Sequence, residues 1–152
     1  MFLTRPKRWG ISGYLKHPLA MKYPTLDDWH YNQLEIRVPI IDTGDADFNF
    51  LIFLHGLVEA HLCRKRGIKG RAVEIFDAAH RDADEPGDLP DAPYHREHQQ
   101  ATDIEKVVCQ MLNISWEAYE QTLNQVFDKA FTGLPVKPIP RKLRPKKEKV
   151  QP

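Results

Sequence analysis

The stretch FNFLIFLHGLVEAHLCRKRG, residues 48–67, reads as the central helix of the chain. It opens as a run of large apolar side chains and closes on Arg64, Lys65 and Arg66, followed by Gly67. Cations suit the negative end of a helix, and a glycine just beyond supplies the left-handed residue that stops it. The turn DTGDAD, residues 42–47, precedes the run, so that Asp45 or Asp47 can cap the first turn. A helix of this composition is built for burial, yet His55 and Glu59 stand in it one turn apart. At about 100° per residue, Leu62 lies about 20° from His55, Leu51 and Glu59 about 40°, and Val58 about 60°. Both polar groups therefore share the apolar stripe. A lone buried carboxylate costs several kcal/mol unless it is paired, protonated or coordinated, so something must hold Glu59.

A second segment repeats the pattern. The spacing predicts a helix from Tyr94 to Leu112, with Glu105 about 20° from His98, Ala101 and Val108 beside them, and His95 about 60° to the other side. If the two stripes pack on each other, three imidazoles and two carboxylates converge. Neutral imidazole with carboxylate is the ligand chemistry of zinc, iron and manganese in helical bundles. The candidate metal ligands are His55, Glu59 and His98. Glu105 and His95 come next, as ligands or as partners that fix an imidazole tautomer. The implied cofactor is a divalent transition metal: zinc, iron or manganese. The plainer reading is a buried hydrogen-bonded network that only stabilises the core.

The segment HGLVE, residues 55–59, invites comparison with the zinc-peptidase motif H-E-x-x-H. His55 matches the first ligand and Glu59 stands where the second histidine would be, but Gly56 replaces the glutamate that activates water in those enzymes. Gly56 argues against a conventional zinc peptidase, and a hydrolytic base would have to come from elsewhere, for example Glu97, Glu105 or the acidic loop that follows residue 81. Other templates fail more cleanly. His80 and Asp82 are separated by Arg81, which breaks the His-Asp doublet of the HD phosphohydrolases. Glu117 and Glu120 supply one carboxylate box of the helical NTP pyrophosphatases, but Gln125 stands where the second box, completed by Asp128, needs a glutamate. There is no glycine-rich phosphate loop, no G-x-S-x-G and no zinc-type cysteine pair.

Outward from these helices, Leu34, Ile36 and Val38 alternate with Glu35 and Arg37, which predicts a short half-buried strand ending at Pro39. One strand needs a partner, expected from residues 9–23. A further helix is predicted over residues 70–81. Residues 82–93 hold three prolines and five acids, a loop placed to act as a flap over the His/Glu cluster, with Asp77 and His80 on its other side. A last helix is predicted from Trp116 to Phe131, capped by Ser115 and ended by Gly133. The expected fold is mainly α: a small bundle of about four helices with a short β element near the N-terminus.

The 152 residues suffice for one domain with a core. Charge divides the chain. Residues 1–22 carry +5 and residues 134–152 carry +6, which leaves the 111 residues between them at −10 within a whole-chain charge of +1. The expected organisation is a basic N-terminal segment (1–22), a helical domain with a short strand (23–133), and a basic, proline-rich, disordered tail (134–152). Such ends can make weak nucleic-acid contacts or meet an acidic protein partner, or else dock on their own acidic body. A mean hydropathy of −0.54, with no apolar run near the roughly 20 residues of a spanning helix, argues against a membrane protein. No signal peptide is legible, and Cys63 and Cys109 sit at apolar positions, as reduced thiols of a cytoplasmic protein do.

The strand, LHGLVEAHLCRKRGI, the loop DEPGDLPDAPYHREHQQAT and IEKVVCQMLNISWEAYE together resemble a group of small uncharacterised phage and prophage proteins over about residues 29–123. In that group the motif is nearer H-E-L-[IV]-E-A, so Gly56 is this chain's departure. The resemblance implies a phage origin and a host-cytoplasm setting, and carries no established activity. Two functional readings follow. One is a metal-binding helical protein performing metal-assisted hydrolysis. The other is a non-catalytic interaction or host-modulating protein, with contacts made by the basic tails and by exposed aromatics such as Trp9 and Trp29.

Overall fold

In the computed structural model, which describes residues 9–135 and 138–144, three strands precede four helices. The strands are β1 (Gly10–Leu15), β2 (His30–Tyr31) and β3 (Glu35–Ile40). β3 lies in the middle, parallel to β1 and antiparallel to β2. The partner expected from residues 9–23 is therefore β1, which lies wholly within the basic N-terminal segment (1–22), so that segment is part of the folded domain. β3 runs one residue past Pro39. A proline is tolerated in this central strand because β2 reaches only Ile36 and Arg37, and the Pro39 carbonyl is used by Asp28 N. β2 falls in the aromatic, turn-rich stretch where sequence alone shows no strand.

Helix α1 (Ala46–Arg66) begins at Asp45, whose carboxylate accepts from the Asp47 and Phe48 amides, and ends at Gly67 with φ of 74°. Its length is set by these caps. Leu51, Ile52, Gly56, Glu59, Ala60 and Cys63 are buried, so the helix is wrapped on several sides. It packs chiefly against β3 and against α3 (His95–Met111). α2 (Gly70–Ala79) ends at His80, and α4 (Trp116–Phe131) is capped by Ser115, whose Oγ accepts from Ala118 N. The core gathers Trp29, Ile36, Val38, Ile40, Leu51, Ile52, Cys63, Tyr94 and Tyr119 between sheet and helices. Both cysteines are free and buried. Among the described residues no helix is long and apolar enough to cross a membrane.

Two expectations are adjusted. Trp29 is buried at 5% exposure, so of the two aromatics proposed for outside contacts only Trp9, at 62%, is on the surface. Within the tail, residues 136–137 and 145–152 lie outside the described residues, while Arg141–Leu143 forms a 3-10 turn with Leu143 buried. Arg71 of α2 donates to the Lys142 carbonyl, which holds that turn on the domain.

Candidate metal centre

α1 and α3 bring their polar stripes face to face. His55 Nε2, His98 Nδ1 and Glu59 Oε2 form a triangle: 3.2 Å between the two nitrogens, 2.8 Å from His98 to Glu59 and 3.4 Å from His55 to Glu59. Donors bound tetrahedrally at about 2.0–2.2 Å stand about 3.3–3.6 Å apart. Two edges nearly meet that spacing and the third is shorter. The three residues are thus a group able to hold a metal ion.

The atoms that do not face this triangle each have a fixed neighbour. His55 Nδ1 lies 2.9 Å from Glu105 Oε2, and the Tyr119 hydroxyl donates to Glu105 Oε1 at 2.5 Å. The Trp29 indole N–H donates to Glu59 Oε1 at 2.6 Å, which leaves Oε2 for the triangle. His98 Nε2 is 3.5 Å from Asp88 Oδ1. A carboxylate behind a ligating imidazole fixes its tautomer and raises its basicity, and Glu105 stands in that position behind His55.

The electrostatics follow from these contacts. Burial alone would push Glu59 up, but the bonds from His55 and His98 outweigh it and bring the carboxyl down to about 2. Burial disfavours the His55 imidazolium, yet bonds to Glu105 and Glu59 hold its pKa well above the ordinary value. His98 is raised against its own burial by Glu59. Burial and the neighbouring Glu105 raise the Tyr119 hydroxyl, which stays a donor. Without metal, two protons on the imidazoles balance the two carboxylates. One divalent ion with two neutral imidazoles gives the same total charge.

Sequence and structure agree on His55, Glu59, His98 and Glu105 as neighbours. His95 is not brought to them. It begins α3, and its Nδ1 donates to the Gly87 carbonyl at 2.9 Å, so the ring is turned toward the loop. Of the candidate bases, Glu97 is buried against Arg66 and Glu105 is engaged by His55 and Tyr119. The loop does cover the cluster: a Cβ on Gly87 would run into the His98 ring, so glycine is needed where the backbone meets the ring. Gly87→Ala is accordingly expected to displace His98 and weaken metal retention at least tenfold, read by competition with a chromophoric chelator. Unchanged retention would mean that His98 is not held by this contact.

Sequence reasoning missed Trp29 and Tyr119, which lie on other elements and show no local motif. Tyr119→Phe leaves Glu105 Oε1 without its donor in a buried setting. It is expected to cost about 1–3 kcal/mol in urea unfolding, and a cost near zero would show that the bond contributes nothing.

A small cavity of about 40 Å³ opens beside the triangle, lined by His55, Glu59 and His98 and by the acids Asp27, Asp28, Glu74, Asp77 and Glu85. One water needs roughly 10–15 Å³, so the cavity can hold a solvent molecule or two beside an ion. Asp77 accepts from the Tyr94 and Tyr23 hydroxyls, and burial pushes its carboxyl up to about 7 against their pull. Asp28, His30 and Glu74 form a second group on the same side. That group already has a cation, because the Lys22 ammonium bonds Glu74. No family model, curated protein or solved structure matches the chain.

Proposed function

We propose that His55, Glu59 and His98 bind one divalent transition metal ion, with zinc favoured over iron or manganese, and that the bound ion supports hydrolysis. The observation that carries this reading is the triangle of donor atoms, two of its three edges near tetrahedral spacing, with Glu105 and Trp29 fixing the imidazole and carboxylate that point into it. Three protein ligands beside a polar cavity are the arrangement of a catalytic rather than a structural zinc site, because the fourth position is left to solvent or substrate. In such a site the ion lowers the pKa of water and polarises the bond under attack. His55 and His98 would serve as neutral ligands, Glu105 would keep His55 in the required tautomer, and Gly87 would seat the loop over His98.

The phage-type resemblance fits a small accessory hydrolase of the host cytoplasm, and the basic ends would supply secondary contacts with a protein or nucleic-acid partner. The test is a hydrolysis screen over ester, amide and phosphoester substrates with metal-loaded protein, run beside His55→Ala. Turnover that depends on the metal and is lost in the variant supports the reading. Metal bound without turnover on any class would leave a binding protein and remove the hydrolase.

A further inference from the structure

Gly56 lies in the turn of α1 between His55 and Glu59, at the place where H-E-x-x-H enzymes carry the glutamate that activates water. The space a side chain would fill there is occupied. A Cβ on Gly56 would stand 2.5 Å from Asp27 Oδ2 and 2.7 Å from Val38 Cγ1. A carboxylate is thus present at this point of the site, delivered from the opposite wall of the cavity.

The other acids on that wall are committed or remote. Asp28 bonds the Trp29 amide and His30, Glu74 bonds Lys22 and Asp77 accepts from two tyrosines, while Glu85 lines the cavity from the loop, away from the space at Gly56. The Asp27 carboxylate makes no hydrogen bond or ion pair among the described residues. No buried polar side-chain atom among them lacks a partner, so its oxygens reach accessible space, and the space Asp27 borders is the cavity. Its backbone is fixed by a bridge to Ile40 and by the Thr25 hydroxyl donating to the Asp27 carbonyl at 2.7 Å. A half-buried carboxylate on a fixed backbone, with no partner of its own and next to a candidate metal centre, is arranged to act on a solvent molecule.

From this placement we infer that Asp27 is the proton acceptor for the attacking water, replacing the side chain missing at Gly56. The inference rests on the metal reading above. As a lone pair of the water oxygen forms the new bond to the electrophilic carbon or phosphorus, the water proton passes to Asp27. As the scissile bond breaks, its electron pair leaves with the departing oxygen or nitrogen, which takes that proton back. The net change is addition of water across the bond, with Asp27 returned to its starting form.

Zinc-loaded protein is assayed with 4-nitrophenyl acetate as the probe, beside Asp27→Asn, Asp27→Ala and the double variant Asp27→Ala/Gly56→Glu. Each is expected to keep about one zinc per chain, since Asp27 is not a ligand. The rate is expected to fall about a hundredfold in Asp27→Asn and Asp27→Ala, as for loss of a general base. The double variant puts a carboxylate on α1 beside the triangle while pressing a Cβ against Val38 Cγ1, so it is expected to melt lower than Asp27→Ala yet to regain at least about tenfold in rate. Gly56→Glu alone is expected to melt lower than the double variant, because it sets two side chains in one place. If Asp27→Asn does not fold, the step from Asp27→Ala to the double variant carries the test. An Asp27 variant that keeps both its zinc and its rate overturns the assignment, as does zinc-loaded wild type no faster than His55→Ala. Wild type that binds no zinc instead removes the metal reading, and the assignment with it.

Discussion

Glu59→Ala is expected to abolish stoichiometric metal binding and to destabilise the metal-free protein by about 3–5 kcal/mol, the range for removing one partner of a buried ion pair. Three donors converge on this one carboxylate: the Trp29 indole, His98 and His55. Glu59 is 5% exposed, so bulk solvent does not replace the charge that the variant removes. His55 and His98 would then have to shed protons or shift outward, and the indole N–H would be left without an acceptor. Glu59→Gln separates the two effects. It keeps an acceptor for Trp29 and the same volume, so its stability loss should be smaller, while the uncharged amide remains a poor ligand. Urea unfolding without metal and chelator competition with metal read the two quantities apart. A Glu59→Ala protein that still holds one ion per chain would show that the ligand set is wrong.

The second large effect is a pH dependence of metal binding. Both imidazoles hold their protons above the ordinary histidine value of 6.5, through Glu105 and Glu59 for His55 and through Glu59 for His98. An ion must displace two protons to bind neutral imidazoles, so its affinity should rise by up to about a hundredfold per pH unit while both are protonated. Stability of the metal-free protein should run the other way. Folded-state pKa values raised above 6.5 contribute stability that is full below that pH and is lost as pH rises through the folded values. Glu59, depressed from 4.5 to about 2, contributes stability that is present above 4.5 and lost as pH falls toward 2. The metal-free protein should therefore be most stable at roughly pH 4.5–6.5, and metal should extend that plateau upward. Chelator competition and thermal melting across pH 5–8 check both slopes. Affinity that does not change with pH would mean that the imidazoles are not the groups giving up protons.

The helix core of this arrangement is legible in the sequence because it is written in one period. His55, Glu59, His98 and Glu105 can be placed on facing stripes from the 3.6-residue repeat alone, and the caps Asp45, Gly67 and Ser115 set where three helix ends fall. The groups that complete the site depend on contacts that no local pattern encodes. Trp29 reaches Glu59 from 30 positions away, and Asp27 meets Gly56 only because of how the segment before β2 packs on α1. His95 shows the limit of the helical wheel. It has the right angle, but in the first turn of α3 its ring finds the Gly87 carbonyl before it can reach the cluster. β2 is invisible for a similar reason, since two residues cannot show an alternation and only pairing with β3 defines the strand.

Elemental analysis of the untagged protein, purified without chelator and set beside His55→Ala, shows whether the triangle holds an ion. Close to one zinc, iron or manganese per chain, lost in the variant, is the expected result. A metal-free wild type that also takes up no added zinc would contradict it. The five contacts to carboxylates that join Trp29, His55, Glu59, His98, Glu105 and Tyr119 would then be a proton-bridged core network with no ion to hold.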